Sequence, residues 1–124
     1  MRIQIVLPVL LAAVAAPSIS ASAQNPHDDF GGATALNRAK WLQAVDYPES
    51  ALQHERQGTV SVEFDILPDG TANGCTVTRT SGHADLDRHA CRMIHNRARF
   101  RPASDADGNA TRAKGKTRFV YALG

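Results

Sequence analysis

Residues 59–67, TVSVEFDIL, constrain the fold of this chain more than any other stretch. Val60, Val62, Phe64 and Ile66 fall on one side of an extended strand and Ser61, Glu63 and Asp65 on the other, because strand side chains alternate. One apolar and one polar face predict a half-buried strand in an antiparallel sheet. Pro68-Asp69-Gly70 follows as turn chemistry: proline presets φ, aspartate bonds its own backbone, and glycine takes positive φ. A second strand is expected over residues 72–80, with Cys75 and Val77 on one face and Thr76, Thr78 and Thr80 on the other. The two strands predict a hairpin, and a hairpin needs cover on its apolar face.

Helices supply the cover. Asp46-Tyr47-Pro48 opens a short one, with Asp46 or Tyr47 near the cap, Glu49 at the positive end of the dipole, and Ala51 and Leu52 on the apolar face. Residues 84–98 read as a longer helix, with Leu86, Ala90, Met93, Ile94 and Ala98 at spacings of three and four. His83 is placed to cap it; Asp85 and Asp87 suit its start, Arg97 and Arg99 its end. A last strand is expected over residues 116–123, where Thr117, Phe119, Tyr121 and Leu123 alternate with Arg118, Val120 and Ala122. The order helix, strand, strand, helix, strand predicts an α+β two-layer sandwich: a three-stranded antiparallel sheet with two helices on one face.

The N-terminus follows a different logic. Arg2, an apolar run over residues 3–16, and Ala21-Ser22-Ala23 before Gln24 form the pattern of a secretory signal peptide, residues 1–23. The run is shorter than the roughly 20 apolar residues of a membrane span, so no transmembrane helix is expected in the mature chain. Residues 24–40 are polar and read as a flexible lead-in, and residues 41–124 as the domain. Arg2 leaves with the signal, so 14 basic residues become 13 against 12 acidic, a formal charge of +1. Near-neutral charge in an exported chain argues against nucleic acid as a partner.

Export also bears on Cys75 and Cys91, the two cysteines of the chain. Their spacing with His83 and His89 matches no zinc pattern, and His89 and Cys91, two apart on a helix, point to different sides. Redox thiols sit as Cys-x-x-Cys at a helix start, whereas these lie 16 apart on two elements. An even count in an oxidising compartment predicts a disulfide from the inward strand face to the covering helix. Such a loop is worth on the order of 3 kcal/mol in the chain-entropy model.

No chemistry assembles elsewhere. His27, His54, His83, His89 and His95 read as exposed polar positions, and Glu63 and Asp65 as solvated face residues. No Gly-x-Ser-x-Gly elbow and no phosphate-cradling glycine loop is present. No catalytic residue, metal or cofactor is assigned, and the chain is read as non-enzymatic. The basic run over residues 88–102 is a solvated helix face and tail, or a contact surface for an acidic partner. The last strand, if it lies at the sheet edge, offers unpaired backbone groups that an extended peptide can join. Lys116 and Arg118 equally suit an edge guarded against aggregation.

Together, Tyr47-Pro48, Ala51-Leu52, Gly58-Thr59-Val60, Val62, Phe64, Pro68-Asp69-Gly70, Val77, Ser81-Gly82, Leu86-Asp87 and the RARFRPA run of residues 97–103 make the chain resemble the TonB C-terminal domain family. The resemblance covers residues 47–123. It implies a periplasmic module that grips extended, TonB-box-like segments of outer-membrane transporters by strand addition. The implied binding residues are Lys116, Thr117, Arg118, Phe119, Val120 and Tyr121. Self-association through the same edge, giving a homodimer, is the alternative, as is an anchored energy transducer if the N-terminal segment stays uncleaved. Three departures stand out. The N-terminal segment reads as cleaved. The roughly 23 residues before Tyr47 reach under about 85 Å even when fully extended. Ala98 stands where many members carry tryptophan, implying a thinner core.

Overall fold

The computed structural model describes residues 25–124; the predicted signal peptide lies outside them. In chain order the elements are β1 (Thr34–Ala35), two 3-10 turns (Arg38–Lys40 and Ala44–Asp46), α1 (Glu49–Gln53), β2 (Gly58–Ile66), β3 (Ala72–Arg79), α2 (Ala84–Arg97), β4 (Phe100–Arg101), β5 (Ala103–Ser104), β6 (Ala110–Thr111) and β7 (Ala113–Tyr121). The main sheet is antiparallel in the order β3-β2-β7, and the short pairs β1-β4 and β5-β6 lie outside it. Fold class and sheet match the expectation from sequence. No helix among the described residues is long and apolar enough to cross a membrane.

The period-two pattern of β2 works as predicted. Val60, Val62, Phe64 and Ile66 are buried, while Ser61, Glu63 and Asp65 stay half-exposed on the other face. The turn closes with the Gly70 amide donating to the Leu67 carbonyl, and Gly70 takes φ 88°. Helix α2 packs across β2 and β3 through Leu86, Ala90, Met93 and Ile94, and α1 packs on α2. Cys75 and Cys91 form a disulfide with Cα atoms 5.5 Å apart, joining β3 to α2. At the helix ends Arg97 grips Asp46 at 2.6 Å and Arg56 grips Asp85 at 2.9 Å. The Arg97 hydrogen bonds hold the Asp46 carboxyl below its usual range.

Several local expectations need correction. His83 occupies the N-cap of α2, but its side chain makes no cap bond. Ser81 Oγ and Asp87 tie that corner instead, with Asp87 accepting from the Ser81 amide and hydroxyl. Helix α1 starts at Glu49 with Pro48 as N-cap, while Asp46 belongs to a capping box with Gln43 one turn earlier. Leu52 is half-exposed, so Ala51 alone buries the short helix. His89 is not exposed: it is 4% accessible on the core stripe of α2, because its Nδ1 finds the Tyr121 hydroxyl at 2.7 Å. A buried imidazole needs such a partner.

The largest correction concerns residues 25–40. They pack on the domain rather than trailing from it. Phe30 meets Trp41, Phe64 and Phe100 with ring centroids 5.6, 6.4 and 5.1 Å apart. Asn37 brackets Ala98: its Nδ2 donates to the Arg97 carbonyl, and its Oδ1 accepts from the Arg99 amide and the Trp41 indole. Phe30 thus adds an aromatic side chain to the core from the segment before Trp41. Trp41 is fully buried, and burying a large aromatic dominates the energetics of a core this small.

Candidate functional site

The site is the outer edge of β7. This strand pairs with β2 through nine consecutive register partners, from Gly58 opposite Tyr121 to Ile66 opposite Ala113. It begins three residues earlier and ends two earlier than residues 116–123. The early start is enforced at Gly115, where an added Cβ would lie 2.4 Å from the Phe64 ring. Only glycine lets β7 run over that phenyl group.

The pleat gives each β7 residue one of two duties. Gly115, Thr117, Phe119 and Tyr121 are buried, and Lys114, Lys116, Arg118 and Val120 turn their side chains to the outer face. In an antiparallel ladder a residue's N–H and C=O point to the same flank, and alternate residues point to opposite flanks. Lys116 faces outward, since its amide donates to the Asp29 carbonyl at 2.7 Å and its carbonyl accepts from the Asp29 amide at 3.0 Å. Arg118 and Val120 therefore also face outward, and their backbone groups have no partner among the described residues. At the end of the strand the Leu123 amide donates to Gln57 Oε1 at 2.6 Å.

The segment holding Asp29 is locked down. The Asp28 carboxylate, 3% exposed, accepts from Arg38 Nε at 2.8 Å and from the Thr117 hydroxyl. Arg38 also donates to Thr117 Oγ1 at 2.9 Å, and its guanidinium lies 4.8 Å from the Trp41 ring and 5.4 Å from Phe119. Arg38 is 29% exposed and Asp28 nearly buried, so charge-assisted bonds and two cation–π contacts hold this segment to β7. The strap closes the edge at Lys116 and ends there.

The predicted residues thus separate. Thr117, Phe119 and Tyr121 are interior, Lys116 is taken by Asp29, and Arg118, half-buried, and Val120, exposed, keep backbone groups without a partner among the described residues. On the outer face Lys114 reaches Asp65 at 3.0 Å and Lys116 reaches Glu63 at 4.0 Å, with both lysines largely solvated. Such bridges contribute little. Arg118 has no acidic partner among the described residues. Beneath the strand, burial pushes the Tyr121 hydroxyl up and the His89 imidazole down, so the pair is neutral and holds the end of β7 on α2.

Sequence reading missed Asp28, Asp29, Phe30 and Arg38, which limit the edge, and Leu42, Ala44 and Tyr47, which lie beside Tyr121. No local periodicity marks them; the aromatic Phe30 in a polar stretch was the available signal.

Comparison with known proteins gives the family and the fold. The family described as Gram-negative bacterial TonB protein C-terminal matches residues 43–123. Protein TonB of Haemophilus influenzae is 41% identical over 49 residues, which cover 40% of this chain and 18% of that protein. This chain therefore aligns with under a fifth of that relative's length. The solution NMR structure of the Pseudomonas aeruginosa TonB CTD shares the fold, with a TM-score of 0.56 at 21% identity, covering 74% of this chain and 87% of that one.

Proposed function

The chain belongs to the TonB C-terminal family, and from that premise we propose that it is a non-enzymatic, periplasmic binding module for extended, TonB-box-like segments of outer-membrane transporters. The observation that carries the reading is the open flank of Arg118 and Val120 on a strand that is paired with β2 along its whole other flank. An incoming strand completes the ladder there without any covalent step. The packed state of residues 28–47 supports a module over an anchored transducer, because these residues are held on the domain and are not free to act as a spacer.

Magnitudes set the expected strength. Two outward residues supply two amides and two carbonyls, and about 1 kcal/mol net for each bond makes a total near 4 kcal/mol. Lost translational and rotational freedom on association costs about 4 kcal/mol or more, so the backbone bonds alone do not hold a peptide and side chains must supply the net affinity.

Titration of the labelled protein with TonB-box peptides, followed by NMR, tests the reading. Shifts confined to residues 115–123 are expected. Silence across the panel would sink it. Sedimentation that shows a concentration-dependent dimer, with loss of peptide shifts as the dimer forms, would assign the same edge to self-association instead. N-terminal sequencing of the exported protein is expected to begin at Gln24; an intact Met1 would restore the anchored transducer.

A further inference from the structure

The face of the sheet turned away from the helices carries its side chains in cross-strand rows. Each outward residue in the body of β2 has a partner on β7 and another on β3. Asp65 lies between Lys114 and Asn73, Glu63 between Lys116 and Thr76, and Ser61 between Arg118 and Arg79. In the first two rows β2 supplies a carboxylate and β7 a lysine that reaches it, at 3.0 Å for Asp65 and 4.0 Å for Glu63. The third row breaks the pattern. A serine stands in the middle with an arginine on each side, and neither arginine has an acidic partner among the described residues.

Arg79 reaches this row through a fault in the pairing. The step from Ser61 to Val62 on β2 is matched on β3 by the two steps from Arg79 to Val77, so Thr78 is an extra residue. Strict alternation from Cys75, which turns inward to its disulfide, would place Arg79 on the helix side. The irregularity returns it to the outer face opposite Ser61. Bulges re-aim side chains in this way. Over the row opens a cavity of about 580 Å³, lined by both arginines, Lys116, Thr59, Ser61 and Thr78.

Guanidiniums without carboxylates, set beside hydroxyls, suit an oxyanion. Neighbouring strands lie about 4.8 Å apart, so the two arginines leave the backbone about 10 Å apart, one on each side of Ser61. Each offers five N–H donors in a planar fork that matches phosphate or carboxylate. A phosphate monoester brings three strong acceptor oxygens and a charge of about −1.5 to −2 at neutral pH, and so answers both arginines at once. A carboxylate brings a single charge. The cavity is within the range of about 300–1,000 Å³ that takes small-molecule ligands, so the phosphate arrives as part of a larger molecule. We propose that Arg79, Ser61 and Arg118 form a binding site for a phosphate monoester carried on a small molecule or a lipid headgroup. The anion stands over Ser61, in the place where the neighbouring rows hold their own carboxylates. The site uses the side chain of Arg118, whereas strand addition uses its backbone, so the inference does not rest on that reading.

NMR titration of the labelled, exported full chain at fixed ionic strength tests the site. The probes are glucose 6-phosphate and phosphatidylcholine vesicles with and without phosphatidic acid; acetate and hexaglutamate are the controls. Saturable changes at the amides of Ser61, Arg79 and Arg118 are expected with a phosphate ester and not with acetate. A response to glucose 6-phosphate assigns a soluble ligand, and a response confined to vesicles that carry phosphatidic acid assigns a lipid headgroup. Arg79→Gln is expected to weaken binding about tenfold or more, the weight of a hydrogen bond to a charged group. Ser61 is half-exposed, so Ser61→Asp gives the third row the carboxylate of its neighbours without touching the core. This variant is expected to fold normally and to abolish binding. The absence of any phosphate-dependent change would overturn the site, and so would binding that survives either substitution. Hexaglutamate that binds as tightly as the phosphate ester would overturn it too, and would make the face a docking surface for acidic peptide instead.

Discussion

The sheet has two edges, β3 and β7, and it treats them in opposite ways. Pairing of β3 with β2 slips twice, between Ser61 and Val62 and between Glu63 and Asp65. Its Cys75 is bonded to α2, and the Cys75 amide donates to His95 Nε2 at 3.3 Å. Irregular pairing and a covalent tie make β3 a poor template for another strand. By contrast β7 is regular along all nine pairs and is closed only at Lys116, by the backbone of Asp29. The molecule blunts one edge by distortion and covers the other at Lys116 alone. A regular edge is the one that can be read by a partner, because only a straight ladder presents evenly alternating groups.

Removing the disulfide tests the first half of this contrast and carries the largest expected effect. The pair Cys75→Ser and Cys91→Ser should lose about 3 kcal/mol of stability, measured by denaturant unfolding, with faster amide exchange in β3 and peptide binding at β7 retained. Equal loosening of β7 would show that the two edges are one cooperative unit. Next comes the strap. Phe30→Ala removes a partly exposed aromatic from the core and should lose about 2 kcal/mol, below the range for fully buried rings. Exchange at Lys116 should rise, and peptide shifts should extend to that residue; an unchanged Lys116 amide would mean Asp29 is held without the ring. Val120→Pro removes an outward amide, which an edge strand tolerates. Peptide affinity should fall at least about tenfold, or about 1.4 kcal/mol, with little loss of stability. The smallest effect is on pH. Burial keeps the His89 pKa below its unfolded value of 6.5, so the unfolded chain takes up a proton that the folded chain resists. Stability is therefore full above about pH 6.5 and declines as pH falls from there towards the lower folded value. His89→Gln should flatten that slope in thermal melts between pH 7 and 5.

Much of this was legible in the residues. Val60 to Ile66 alternate, Pro68-Asp69-Gly70 turns, and Leu86, Ala90, Met93 and Ile94 share a stripe, each a pattern within one element. The strap was not legible, because Asp28 meets Arg38 and Thr117 across separations that no local period encodes. The start of β7 was hidden for a related reason: Gly115 and its flanking lysines look like a loop until Phe64 is seen lying beneath them. His89 looked solvated because its partner, Tyr121, lies 32 residues away.

Local order, then, belongs to the sequence: which stretches extend, which coil, where the chain turns, and that Cys75 and Cys91 would join. Side-chain periodicity and turn chemistry act over a few residues and can be read there. Which strand stands at the edge and how much of it the strap covers were settled only by tertiary packing. These depend on burying Phe30 and Trp41 against residues distant in the chain, and the free energy of that contact leaves no mark in local spacing.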